Sequence, residues 1–228
     1  MTLVKSVRFA LGHDGRMRTK PILRGVIHEL AFSAAVSAGV LLVARASSGE
    51  AKLAVAFYAA SLAGLFGISA LYHRPMWSER VRSWLRRFDH AAIFVLIAGT
   101  YTPLALTLPS PLARQMLAVA WIGAALGVVR AICFPRARRW VVALLALALG
   151  WASAAFLPEV HAVAGHTVTL LLALGGGLYS LGALAYALRR PDPWPRVFGY
   201  HEVFHALVVL AAMCHFAAIT RALPALTG

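Results

Sequence analysis

LAVAFYAASLAGLFGISALY, residues 53–72, runs for twenty positions without a Lys, Arg, Asp or Glu. A helix rises 1.5 Å per residue, so about 20 apolar residues carry it across the roughly 30 Å hydrocarbon core of a bilayer. Two more stretches, 140–157 and 168–188, are equally free of charged residues. The chain of 228 residues is 61% hydrophobic and only 13% charged, with a mean hydropathy of +0.75. That composition excludes an ordinary water-soluble domain and defines an all-α integral membrane protein.

Working outward from 53–72, the hydropathy pattern predicts seven transmembrane helices, at 25–44, 53–72, 90–108, 115–134, 140–157, 168–188 and 200–220. Breakers fall between them: Ser47, Ser48 and Gly49, then Pro75, Pro109 and Pro111, Pro135, Pro158, and finally Pro191, Pro193 and Pro195. All connectors are short, which implies one membrane domain (25–221) between a basic N-terminal tail (1–24) and a short C-terminal tail (222–228). The first twenty residues hold no apolar run long enough for a cleavable signal peptide, because Lys5 and Arg8 interrupt it. The first span is therefore expected to act as the insertion signal.

A net charge of +14 would suggest nucleic acid in a soluble protein. Here the positive charges sort by connector instead. Of the 22 basic residues, only Arg45, Lys52, Arg114 and Arg221 lie on the side opposite the N-terminus. The rest gather in the N-terminal tail and in the second, fourth and sixth connectors. The positive-inside rule then predicts a cytoplasmic N-terminus and an external C-terminus, in a multi-pass protein of the cell membrane. Anionic lipid headgroups, not nucleic acid, are the partners expected at the basic loops.

Cys133 and Cys214 have no metal-type spacing and read as packing residues, and Gly175, Gly176, Gly177 and Gly182 form a small-residue strip suited to close helix approach. The chemistry lies in ionisable and polar residues at the span ends, where an unpaired charge at midspan costs at least ~2.5–3.5 kcal/mol. Ser69 and His73 end the second span, Asp89 opens the third, and His201 and His205 open the seventh. The predicted topology puts all five at one depth in the cytoplasmic leaflet. His201 and His205 lie one helical turn apart and face the same way, as do Ser69 and His73. Zinc favours nitrogen ligands in tetrahedral geometry, and three histidines plus one water is a common catalytic set. His73, His201 and His205 supply three nitrogens. Asp89 could be a fourth ligand or hydrogen-bond the water, with Ser69 beside it. The bland alternative is a structural polar network without a metal.

SALYHR at 69–74, DHAAIFVLIAGTYTP at 89–103 and HEVFH at 201–205, with RGVIHE at 24–29, resemble the hemolysin III family. That family is the bacterial branch of the progestin and adiponectin receptor superfamily, which is also grouped with alkaline ceramidases. The resemblance implies seven helices, a cytoplasmic N-terminus and zinc held by His73, His201 and His205. It associates Asp89 with the zinc-bound water and Ser69 with the polar shell. It implies a membrane lipid as substrate or ligand, and activities that include lipid amide hydrolysis, receptor-like signalling and, from the family name, lysis.

HEVFH also satisfies H-E-x-x-H, the zinc protease signature in which the Glu is the general base. Here the motif lies on the last span, and no acidic residue follows Glu202 to complete a ligand set, which disfavours a protease. His28 and His90 can line the same cavity, with packing a sufficient account of each. His161 and His166 fall in the fifth connector and His13 in the tail. His215 lies about 80° around the helix from His205 and deeper in the bilayer, away from a shared metal. Glu29, just inside the first span, is expected either to pair with Arg24 or to face the cavity. Two function classes follow: a zinc hydrolase of lipid amides or esters with Asp89 as proton acceptor, or a non-enzymatic sensor, regulator or lytic protein whose zinc is structural.

Overall fold

The structure is a computed structural model that describes residues 9–11, 17–47, 49–135 and 139–227. Lys5, Arg8, His13, Arg16, Ser48, Arg136 and Arg138 lie outside the described residues. A short antiparallel pair, β1 (Phe9–Leu11) and β2 (Met17–Thr19), precedes the helices. The body is helical: α1 (Val26–Arg45), α2 (Gly49–His73), α3 (Glu79–Leu106), α4 (Pro111–Cys133), α5 (Arg139–Trp151), α6 (Leu157–Leu188) and α7 (Tyr200–Thr227). A 3-10 turn, Ala152–Phe156, joins α5 to α6.

Six segments among the described residues are long and apolar enough to cross a membrane. Five are α1, α2, α3, α4 and most of α7. The other is Trp140–Leu188, whose 49 residues are more than twice the ~20 that one crossing takes. It is interrupted by the 3-10 turn and again at Gly165, where φ is 83° and ψ 173°. The sequence reading places a connector between 157 and 168, whereas the structure continues as helix through Pro158. A proline in the first helical turn has no N–H that the helix would use, so Pro158 begins α6 and does not break it.

A second difference is the start of α3. The arginine-rich segment before Asp89 is helical from Glu79, and the Ser78 hydroxyl accepts from the Val81 N–H to cap it. Ser110 caps α4 in the same way, through the Ala113 N–H at 3.1 Å, with Pro111 next in line.

α1 packs on α2, α2 on α3, α3 on α4 and α6 on α7, and α7 returns against α1, α2 and α3. The buried face of α2 recurs every three or four residues: Val55, Tyr58, Leu62, Phe66, Ser69 and His73. It meets Val208, Ala212 and Ile219 of α7 in one apolar cluster, while Phe94, Ala98 and Tyr101 of α3 face Ala120 and Ala124 of α4 in another. Large apolar side chains instead point outward. Leu53 is 74% exposed and Leu126 66%, with Leu30, Val40, Ile122 and Leu181 alike. Such a surface would aggregate in water and is solvated by lipid tails in a bilayer.

Small residues permit the tightest crossings. A Cβ at Gly175 would strike the His215 ring, and one at Gly182 would touch Phe204 and Leu207, so part of the predicted strip seats α6 on α7. Gly177 has open space beside it. Gly25, at φ 81°, turns the chain into α1 so close to α2 that a Cβ there would lie 2.8 Å from the His73 Cβ.

Candidate metal centre

α2 ends where α3 and α7 begin, and their polar residues share that end of the bundle. His201 Nε2 lies 3.2 Å from His73 Nε2 and 2.9 Å from His205 Nε2. One ligand nitrogen from each of His73, His201 and His205 falls within 4.8 Å of the others. His73 and His205 are buried, and His201 is half-buried. Ligands at about 2.05 Å from a tetrahedral zinc sit ~3.3 Å apart, close to the two shorter separations. These three side chains could hold a metal ion.

Asp89 hydrogen-bonds to the Ser69 side chain. Its carboxylate oxygens are not in the converging group, but both residues line the same cavity as the three histidines. That cavity holds about 250 Å³. From Asp89 it runs beside α3 past Ile93, Ile97, Thr100 and Leu104, a path of about 22 Å at 1.5 Å per residue and so most of the hydrocarbon thickness. Below the histidine end its wall is almost wholly apolar. His28 and His90 also line it, and so does His215 further along, where Nε2 donates to the Leu172 carbonyl at 3.3 Å. His215 is not in the converging set.

The chain just before α1 ties the elements at this end together. Lys20 Nζ donates to the carbonyls of His73 and Pro75, 3.3 Å each, placing a cation at the C-terminus of α2. The backbone N–H groups of Ile22 and Leu23 donate to the carbonyls of Arg196 and Val197. The Arg24 guanidinium pairs with Glu202, which is almost fully buried and whose other oxygen accepts from the Gly199 N–H at 2.9 Å. Both Glu202 oxygens are thus engaged in holding the start of α7. Its carboxylate is structural, and a protease-type base role for it fails on this geometry.

Glu29 corrects a sequence expectation. It neither pairs with Arg24 nor lines the cavity; it is paired with Arg74 at 2.7 Å, on a side chain that is largely exposed. Arg24 is taken by Glu202, 178 positions away, and the turn at Gly25, which sits against Arg74, leaves Glu29 paired with that residue. The lacing by Lys20 and Arg24 had no local sequence signal, because each partner lies on a distant element. Tyr101 and Tyr179, which also line the cavity, sit on apolar helix faces and read as core from their spacing.

Lipid-facing helices around an internal cavity, with three histidines meeting at its polar end, define a multi-pass membrane protein with a candidate metal centre. Residues 16–216 match the family model described as Haemolysin-III related. Hemolysin-3 of Bacillus cereus is 34% identical over 209 residues, covering 89% of this chain and 92% of that protein. Hemolysin-3 homolog of Bacillus subtilis (strain 168) is 30% identical over 192 residues, 82% of this chain and 87% of its own. Heptahelical transmembrane protein ADIPOR1 of Oryza sativa subsp. japonica is 29% identical over 180 residues, 71% of this chain and 47% of its own. The chain belongs to the haemolysin III family.

Proposed function

We propose that this protein is a zinc-dependent hydrolase of membrane lipid amides or esters. The observation that carries the reading is the meeting of three imidazole nitrogens at the polar end of a long apolar cavity, with the Asp89–Ser69 pair in the same wall. His73, His201 and His205 would hold the metal. When bound, zinc supplies a Lewis acid that polarises a carbonyl and brings the pKa of water toward ~7. The protein's residues do the rest. The apolar wall takes up a hydrocarbon chain and excludes water from it. Asp89 Oδ accepts the proton of the attacking water, and the Ser69 hydroxyl orients that carboxylate by donating to it.

The same reading includes seven crossings with the N-terminus in the cytoplasm. Trp140–Leu188 is long enough to cross twice, the rice relative is named heptahelical, and the basic residues crowd the connectors on the N-terminal side. Arg80, Arg82 and Arg86, exposed beside Trp77 and Trp84, suit anionic headgroups at the cytoplasmic interface.

A second reading has its own observation. The lacing of Lys20, Arg24 and Glu202 across the histidine end suits a zinc that only ties α2 to α7, in a sensor or regulator without turnover. Zinc content and hydrolysis of a ceramide, measured together on wild type and Asp89→Asn, separate the two. The hydrolase reading expects Asp89→Asn to keep its zinc and lose turnover by ~10² or more. Absent turnover in zinc-loaded wild type favours the structural metal, and turnover in zinc-free protein rejects the mechanism.

A further inference from the structure

His28 sits in the first turn of α1, just after the tight turn at Gly25 that sets α1 against the end of α2. It is buried, with 3% of its surface exposed, yet it lines the cavity at the histidine end. Its ring stacks on that of His205, centroids 3.9 Å apart and planes 21° from parallel, and meets Phe66 edge-on at 5.0 Å. The His205 backbone lies near the His28 ring, but among the described residues neither Nδ1 nor Nε2 of His28 has a hydrogen-bond partner. It does not belong to the group of three that could hold a metal.

Unpaired ring nitrogens at a buried site are a standing cost when nothing answers them. A side chain kept only for its shape would avoid that cost as Phe, which stacks on His205 and Phe66 equally well. What the imidazole adds is an N–H, present in every protonation state. The cavity that His28 lines is a space from which a partner can come. Its occupant, on the reading above, has a hydrocarbon tail along the apolar wall and its polar group beside the three histidines. The polar group of a lipid amide or ester offers a carbonyl oxygen, which is an acceptor only.

We propose that His28 is a ligand-binding residue whose ring N–H donates to the carbonyl oxygen of a lipid amide or ester held in the cavity. The inference rests on the lipid reading of the site but not on turnover. It assigns the carbonyl a donor from α1, whereas the converging histidines come from α2 and α7. The bond fixes which end of the lipid lies at the polar end.

The test uses the full-length protein in detergent with a carbonyl-13C-labelled N-methyl-N′-octadecylurea, an amide isostere that resists hydrolysis. Affinity and the infrared carbonyl band are measured on wild type, His28→Phe and His28→Gln. His28→Phe is expected to melt no lower than wild type without ligand, to bind the urea roughly tenfold more weakly, and to move the carbonyl band to higher wavenumber. His28→Gln keeps an N–H donor and recovers most of the affinity. An unchanged affinity and carbonyl band in His28→Phe overturns the proposal, as does a loss of affinity in both variants that tracks a lowered melting temperature. Should the Phe variant not fold, the same carbonyl band in His28→Gln and wild type overturns it, because a changed donor must shift the band. Ceramide turnover is followed separately. If turnover is absent while the His28 effects appear, the hydrolase reading falls and this one stands.

Discussion

The two ends of the cavity differ in how their polar groups are satisfied. At the histidine end, side chains from α2 and α7 converge on one another, Asp89 of α3 bonds to Ser69 of α2, and the segment before α1 ties α2 and α7 in place through Lys20, Arg24 and Glu202. At the far end the polar contacts serve the backbone. α5 gives way to a 3-10 turn after Trp151, which frees carbonyls from the helical ladder. The Tyr101 hydroxyl shares its hydrogen between the carbonyls of Leu149 and Gly150 at 2.8 and 3.1 Å, and Ser153 Oγ donates to the second at 2.7 Å. One end concentrates chemistry, and the other uses polar groups to hold a helix break open beside an apolar space. A bilayer protein can leave neither set unpaired, so the unpaired nitrogens of His28 stand out against both.

Substitutions at the two ends should therefore fail in different ways. The largest effect is expected at a histidine of the converging set. His205→Ala should lose its zinc and, with it, on the order of 10 °C in melting temperature, the scale of ~4 kcal/mol of metal linkage in a chain of this size. His215→Ala, ten residues further along α7, should keep full zinc content by elemental analysis. Loss of zinc from His215→Ala with retention in His205→Ala would exchange the roles of the two positions.

A smaller effect is expected at the far end. Ala105 lines the cavity in the last turn of α3, one residue from its end. Ala105→Phe should leave zinc unchanged, weaken binding of an octadecanoyl lipid roughly tenfold and spare an octanoyl one. Equal loss for both chain lengths, in a competition assay, would mean that the cavity is not measured by the chain.

The smallest effects separate the two ion pairs of the histidine end. Glu202→Gln leaves Arg24 without its buried partner and should lower stability by about 1–3 kcal/mol, reduced from the fully buried case because Arg24 is partly exposed. Glu29→Gln breaks an exposed pair and should stay within ~0.5 kcal/mol. Thermal melts in one detergent decide the ranking.

The spans and the candidate ligands were legible for the same reason. Long apolar runs have one stable home, and the spacing of His201 and His205 and of Ser69 and His73 fixes their faces before any tertiary contact is known. The break at Gly165 falls inside the connector expected between 157 and 168, but the helical turns around it were not legible, because Pro158 reads as a breaker until it is seen to open a helix. The helical start of α3 was hidden by its arginines, which belong to a loop or a helix equally well. Glu29 was given the wrong alternatives because sequence proximity favoured Arg24, while the fold had already committed that guanidinium to Glu202. The donor-rich His28 was visible only as a residue that could line a cavity. Its lack of partners is a property of the packed structure.

X-ray absorption at the zinc edge of purified protein decides whether His73, His201 and His205 hold one metal at the polar end of the cavity. About one zinc per chain is expected, with three imidazole nitrogens at ~2.0–2.1 Å and a remaining light-atom ligand. A sulfur shell near ~2.3 Å, or a zinc signal unchanged when all three histidines are replaced by alanine, would contradict it.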